Sequence, residues 1–266
     1  MSNDTSVATY PTEGRGALWA IRDIRTVTVR NLRNLVRVPV QVVFSLIQPV
    51  MFVVLFRYVL GGAIPVPHYV NYLIPGVLVQ TTIFGAVGTA IGLAEDLQRG
   101  LIERFRALPM ARMAMLAGRT VSDLLRNVIV VITISLVGLL VGFRPSGTFL
   151  NYLQACLLML IFAYALSWGF AFIGLAAPNS EAAQAMTFPL IFPLTFASSA
   201  FVPVATMPGW LRPFAQNQPV TQVVDAVRGL MLGLPHGSST WITLAWALGA
   251  VVVLAPFAVQ KYRRVT

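Results

Sequence analysis

Lysine occurs once in the 266 residues, cysteine once and histidine twice, and charged residues make up only 11% of the chain. Each scarcity removes a class of chemistry. The lone lysine, Lys261, stands in a basic tail behind an apolar run. A phosphate-cradling loop needs its lysine directly after a glycine-rich turn, and a Schiff-base enzyme needs a buried one. The chain therefore carries no nucleotide motor of its own. Cys156 lies alone in a hydrophobic stretch, which excludes a disulfide framework and a thiolate metal cluster. No H-E-x-x-H and no paired acidic metal motif is present. About a quarter of a soluble globular chain is charged. At 11% charged and 57% hydrophobic, this chain has too little charge to cover a water-facing surface, and it belongs in a bilayer.

A spanning helix needs about 20 mostly apolar residues. Uncharged stretches run from Val38 to Phe56, Tyr58 to Ala94, Asn127 to Phe143, Pro145 to Ser180, Ala182 to Leu211 and Gly229 to Gln260. Trimmed at their Gly, Pro and aromatic boundaries, they predict an all-α polytopic integral membrane protein with six transmembrane helices, near 40–60, 70–94, 124–142, 150–176, 182–203 and 240–260. Basic residues are retained on the cytoplasmic side. Fifteen of the 19 fall before the first span, between the second and third, or in the tail, leaving Arg57, Arg144, Arg212 and Arg228 for the other side. The expected division is a cytosolic N-terminus over 1–38, a six-span domain over 39–262 and a cytosolic tail over 263–266. Both termini are expected in the cytoplasm, with the first span directing insertion.

Ahead of the first span, Leu18, Ile21, Ile24, Thr28, Leu32 and Leu35 recur at helical spacing, while Arg22, Arg25, Arg30, Arg33 and Arg37 occupy other faces, until Pro39 breaks the pattern. Such a basic amphipathic helix lies in the interface with its guanidinium groups toward lipid phosphates. A plain topological anchor and a mechanical element would use the same residues.

Between the second and third spans, Leu97, Leu101, Phe105 and Leu108 form one helical stripe, Arg99, Glu103 and Arg106 point elsewhere, Arg104 falls inside the stripe, and Pro109 ends the pattern. A short helix with an apolar and a charged side suits a groove on a partner protein. A solvated connector is the plainer reading of the same residues.

The segment from Glu95 to Arg119, with its acidic start, the step Gly100-Leu101-Ile102-Glu103-Arg104, Leu108-Pro109 and the closing Gly118-Arg119, resembles the cytoplasmic motif of ABC transporter type 2 permeases. The run Arg104 to Arg112, followed by Asp123-Leu124-Leu125-Arg126-Asn127, looks most like the daunorubicin-resistance branch. A second likeness lies in Met207-Pro208-Gly209-Trp210-Leu211, Pro219-Val220-Thr221 and Asp225-Ala226-Val227-Arg228-Gly229. The resemblance implies a six-span permease that pairs with a second permease copy and with two copies of a separately encoded ATPase. ATP and magnesium would be bound by that ATPase, and no cofactor by this chain. It also implies that the helix around 95–110 is the coupling contact, through Glu95, Leu97, Leu101, Glu103, Arg104, Phe105, Leu108 and Pro109. The segment 205–239 is expected to dip into the outer leaflet as short re-entrant helices, and its five prolines from Pro203 to Pro235 argue for broken pieces. Asp225 and Arg228, at i and i+3, are placed to pair there.

Enzyme readings fail for want of groups. The two histidines fall in outer loops, the acids other than Asp225 on the cytosolic side, and no Asp falls inside an expected span, so a protease or lipid-modifying enzyme at membrane depth lacks its nucleophile, base or metal ligands. A non-transporting scaffold for a cytosolic protein is a further competitor. A substrate pathway between the second and fifth spans is expected from Thr81, Thr82 and Phe84 opposite Phe188, Phe192, Thr195, Phe196 and Ser198, the three last phenylalanines of that set recurring every fourth residue. Interhelix or lipid packing explains any one of them equally well. The partners expected are the ATPase, a second permease, membrane lipids and an amphiphilic drug-like or lipid-like substrate, with a cell-envelope glycan or glycolipid as the alternative. No metal and no nucleic-acid partner is expected. The place is a bacterial cell membrane. Small-residue pairs, Gly88 and Gly92, Gly138 and Gly142, Gly229 and Gly233, permit close helix approach.

Overall fold

Within hydrocarbon, backbone polar groups find partners only inside a helix or a closed barrel, and this chain takes the helical solution. A computed structural model describes residues 22, 25–29, 39–64, 66–101 and 114–265. Helix α1 covers Pro39–Val54 and runs on as a π-helix over Leu55–Leu60. There follow α2 (Tyr69–Gln98), α3 (Ala114–Val141), α4 (Phe149–Ala176), α5 (Ser180–Phe196), a 3-10 turn over Val204–Thr206, α6 (Arg212–Asn217), α7 (Pro219–Leu232) and α8 (Gly237–Val265). No strand occurs among the described residues. Among the described residues four helices, α2, α3, α4 and α8, are long and apolar enough to cross a membrane. The chain is a polytopic membrane protein.

Helix α2 is the axis of the packing. It touches α1, α3, α4, α5 and α7, and 72% of its most apolar window is buried, against 17% in α8. The difference places α8 on the periphery, seated on α4 and α7. Helix ends follow local chemistry. Thr148 and Asn179 cap α4 and α5 by accepting from Asn151 N (3.2 Å) and Ala182 N (2.6 Å). Gly100 and Gly233 adopt the left-handed conformation that closes α2 and α7.

Several boundaries differ from those the hydrophobic runs predict. The third helix begins at Ala114, not near 124, which brings Asp123 inside a helix and buries it. This corrects the expectation that no acid lies within a span; Asp123 is retained there because two arginines flank it on the same helix. The fifth helix stops at Phe196, not 203, because Ala197 caps onto Pro193 O and the Ser198 hydroxyl turns back to Thr195 O (2.5 Å). The second helix continues to Gln98, so Glu95 and Leu97 belong to it and not to a separate coupling helix; the break falls at Gly100.

The segment 205–239 is broken as its prolines require. Gln218, preceding α7, donates to Leu194 O (2.7 Å) and Ala197 O (3.0 Å) at the end of α5, while the far end of α7 meets the α3–α4 connection, with Gly147 N on Met231 O (3.0 Å) and Ser146 Oγ on Leu232 O (2.6 Å). Helix α7 therefore climbs from the level of the α5 end to the loop at the same face of the bundle.

The expected small-residue pairs do other work. Gly88 and Gly92 receive arginine side chains from α3, Gly138 faces the Ile74 side chain, Gly229 faces His236, and Gly142 and Gly233 serve positive φ. Backbones approach at Gly76 and Gly174, where an added Cβ would lie 2.9 Å from the Cα of Ala200 and of Ala90 respectively, and closer still to their carbonyl oxygens. Backbone cannot swing aside as a long side chain can. Gly174→Ala should therefore lower stability by about 1–3 kcal/mol, read as a drop in unfolding temperature in detergent. Gly249→Ala, whose Cβ meets nothing within 4 Å, should be neutral or slightly stabilising through helix propensity.

Candidate functional site

A ladder of phenylalanine rings connects three elements. On α5, Phe188–Phe192 and Phe192–Phe196 centroids are each 5.5 Å apart, as i, i+4 spacing dictates. Phe84 of α2 approaches Phe188 and Phe192 at 6.3 and 5.7 Å. Beyond the end of α5, Phe196 meets Phe201 at 5.3 Å, and Phe201 stacks on Phe56 of the π-helix at 4.4 Å. Phe52 joins Phe56, Phe196 and Phe201 at 5.9, 6.1 and 6.0 Å. Offset and tilted ring pairs of this kind add to the burial of their area. Phe84, Phe188, Phe192, Phe196 and Phe201 are legible in the sequence as one aromatic set; Phe52 and Phe56 are not, although their own i, i+4 spacing in the first span is the available signal.

The hydroxyls expected beside them are placed differently. Thr81 and Thr82 donate to Val77 O (2.7 Å) and Leu78 O, and Ser198 donates to Thr195 O. Thr82, Thr195 and Ser198 are buried in packed interior; the Thr82 and Ser198 hydroxyls satisfy themselves on a carbonyl three or four residues back, whereas Thr195 Oγ1 meets no partner. Of this group Thr81 alone lines the open cleft between α1, α2, α3 and α5. That cleft, about 240 Å³, is walled by Phe52, Phe84 and Phe188, with Gln48, Gln80, Arg126 and Asn127 supplying polar atoms.

Below the cleft a charged cluster joins α2 to α3. Asp123 accepts from Thr89 Oγ1 at 2.6 Å and lies 3.6 Å from Arg119 and 3.5 Å from Arg126; Arg119 also lies 3.5 Å from Asp96. The two arginines and two carboxylates balance within the protein. Arg119 also donates to Gly88 O (3.2 Å) and Arg126 to Gly85 O. Glycine at 85, 88 and 92 makes this possible, since a Cβ at those positions would overlap Asn127, Arg126 and Arg119 in turn.

Among the residues expected to couple to a partner, Glu95 pairs with Arg99, while Leu97 and Leu101 are half-buried against Leu93, Leu175, Ala258 and Tyr262. One side of these two leucines packs against α4 and α8, and both remain partly exposed. Glu103, Arg104, Phe105, Leu108 and Pro109 lie outside the described residues, as do Arg30, Arg33 and Arg37. Arg22 and Arg25 are helical and exposed, and Val27 and Thr28 of the same helix are buried, with Thr28 Oγ1 donating to Gly118 O (3.2 Å). Its apolar side thus rests partly on α3.

At the opposite end Asp225 and Arg228 form an ion pair at 3.0 Å. Arg228 is buried; its guanidinium sits 3.6 Å from the Tyr72 ring centroid and donates to Tyr72 O (3.2 Å) and Ser199 O (2.7 Å). Ser199 Oγ donates to Asp225 (2.6 Å), Tyr72 OH to Ser199 O (2.8 Å) and Tyr69 OH to Phe201 O (2.8 Å). The whole set pins the 197–201 turn, and with it the ring of Phe201. Among the described residues no group of three His, Cys, Asp or Glu side chains is placed to hold a metal.

Residues 22–232 match the sequence profile described as ABC-2 type transporter. The chain is 35% identical over 227 residues to the daunorubicin resistance ABC transporter permease protein DrrB1 of Streptomyces coeruleorubidus, covering 85% of this chain and 80% of that one. It is 29% identical over 192 residues to the doxorubicin resistance ABC transporter permease protein DrrB of Mycobacterium tuberculosis, covering 70% of this chain and 66% of that one.

Replacing Arg228 by Ala removes its donations to Tyr72 O, Ser199 O and Asp225, leaving Ser199 O only the Tyr72 hydroxyl and Asp225 only the Ser199 hydroxyl. The loss should be about 2 kcal/mol, with little of it from the Asp225 charge, whose side chain is 42% exposed. Arg228→Lys keeps the charge but loses the planar fork and the stacking, so its unfolding temperature should fall between those of Arg228→Ala and the unaltered chain.

Proposed function

The chain belongs to the ABC-2 type transporter family, as a permease subunit that works with a partner ATPase, and from that membership we propose that it exports an amphiphilic drug-like or lipid-like compound across a bacterial cell membrane. Two permease copies form the pathway and two ATPase copies, binding ATP and magnesium, drive it. Six spans are proposed: the four long helices together with α1, extended by its π-turn, and α5. The observation that carries the substrate class is the aromatic cleft. Its walls are phenylalanines, its polar atoms are amides and one charge-balanced arginine, and a relative is named for resistance to a drug. Co-expression with the partner ATPase in a drug-sensitive host tests it. Energy-dependent efflux of an anthracycline supports the reading. Absence of that efflux, with export of a labelled envelope glycolipid instead, would transfer the function to the alternative.

We also propose that the segment around 101–109 transmits the ATPase stroke. Leu97 and Leu101 keep an exposed side beyond their packing on α4 and α8, and together with Phe105 and Leu108 they form the proposed apolar stripe, with Phe105 its aromatic anchor. Truncating an aromatic anchor commonly costs about 2 kcal/mol, close to a thirtyfold loss of affinity, whereas an exposed charge costs less. Phe105→Ala should weaken ATPase co-purification and uncouple transport; Arg99→Ala should do neither strongly. Unchanged binding and transport in Phe105→Ala would remove that residue from the contact.

The proposed orientation follows the arginine distribution: both termini and the 95–123 segment are cytoplasmic. In a Cys156→Ser background, a cysteine at Ser146 or Ser238, both exposed, should react with a membrane-impermeant maleimide from outside intact cells. One at Thr12 should react only after permeabilisation. The reverse pattern would invert the topology.

A further inference from the structure

The cleft between α1, α2, α3 and α5 has an imbalance of hydrogen-bonding groups. Gln80 and Asn127 both line it and are only 3% and 2% exposed, yet Gln80 Oε1 and Asn127 Oδ1 meet no donor. The Asn127 amide donates from Nδ2 to Thr82 O at 3.4 Å, and its oxygen lies over Gly85, a glycine of the cleft lining. The nearby Thr81 and Thr82 hydroxyls donate to carbonyls of their own helix, and Arg126 Nη2 donates to Gly85 O beside Asp123; none of these reaches either amide oxygen. A buried acceptor without a donor is unfavourable, and two of them on one cleft form a complement to something absent from the chain itself.

We infer that this cleft is a binding site that selects amphiphiles presenting a hydrogen-bond donor, a hydroxyl or an amine, at the edge of an aromatic body, with Gln80 and Asn127 as the selecting residues. The inference rests on the reading of the chain as an amphiphile exporter and adds the chemistry of the recognised group. Phe52, Phe84 and Phe188 take the rings, and exposed Gln48 stands at the mouth. At about 240 Å³ the cleft lies just under the usual range of about 300–1,000 Å³ for drug-sized pockets. It therefore holds one ring system and leaves any further substituent projecting past Gln48. Because Arg126 and Arg119 are balanced by Asp123 and Asp96, the site demands no anionic group. A protein site built to accept a hydrogen bond discriminates against an analogue that lacks the donor.

The test uses the full-length permease alone, in nanodiscs, titrated with two fluorescent probes of matched shape: 2-anthracenemethanol and 2-ethylanthracene. Saturable binding is scored above empty nanodiscs. The alcohol should bind about fivefold to tenfold more tightly than the hydrocarbon, and 2-anthracenecarboxylate should gain nothing over the alcohol. Gln80→Met, close in volume, should erase much of the difference between alcohol and hydrocarbon while holding or raising the unfolding temperature, since it deletes an unpaired acceptor. A glutamine with a purely structural role would instead lower that temperature and leave the probe ratio intact. Equal affinity of the two probes for the unaltered chain, or no saturable binding of either, overturns the inference. Efflux by the same permease with its ATPase, measured in parallel, is independent of that result: efflux without probe selectivity refutes the site and leaves the exporter reading standing.

Discussion

The alternation of small and large side chains along helix α2 sets what can approach it at each level, and that constraint arranges the rest of the molecule. Where it carries glycine at 85, 88 and 92, α3 inserts Asn127, Arg126 and Arg119. Gly76 and Ala90, likewise small, receive the backbone of the 197–201 turn and Gly174 of α4. Where it carries Phe84, it meets the rings of α5 instead. A helix buried on nearly all sides has no lipid-facing surface on which to relax a misfit, so the order of small and large residues along it selects which partner sits at each level.

Charge inside this packing is tolerated because it is neutralised on the spot. Asp123 lies between Arg119 and Arg126 on its own helix and accepts from Thr89 of the neighbour, while Arg119 reaches Asp96. Removing Asp123 would take a carboxylate from Arg119 and Arg126 at once, in a medium where isolated charge is costly. Arginine suits the task better than lysine: its fork reaches a carboxylate and a glycine carbonyl at once, as Arg119 and Arg126 both do. The same economy recurs at the other end, where Arg228 serves a tyrosine face, two carbonyls and Asp225. Two polar clusters thus clamp the ends of α2, and between them the contacts are aromatic and aliphatic. A displacement of the 197–201 turn would move Phe201 away from Phe56, so the outer cluster and the phenylalanine ladder are mechanically one unit.

Much of this was legible in the order of residues. Long uncharged runs specify helices because hydrocarbon leaves the backbone no other partner, and all six expected segments contain one. Pro203 to Pro235 announced short pieces before the last helix, and the i, i+3 spacing of Asp225 and Arg228 announced their pair. The fourfold repeat of Phe188, Phe192 and Phe196 placed them on one face whatever surrounded it. Each of these rests on geometry within a single helix, which sequence spacing encodes directly.

What the tertiary structure alone decided concerns partners on different helices. Spacing could not tell that Gly88 and Gly92 accept guanidinium groups and not a helix backbone, because a glycine leaves space without naming its occupant. Nor could it tell that Leu97 and Leu101 pack one side on α4 and α8, that the Thr82 and Ser198 hydroxyls are spent on their own carbonyls, or that Gln80 and Asn127 from separate helices share a cleft. Helical periodicity determined which residues share a face. Which face meets which was settled only when the volumes of all the helices were fitted together around α2, since close packing is a property of the whole set and of no single segment.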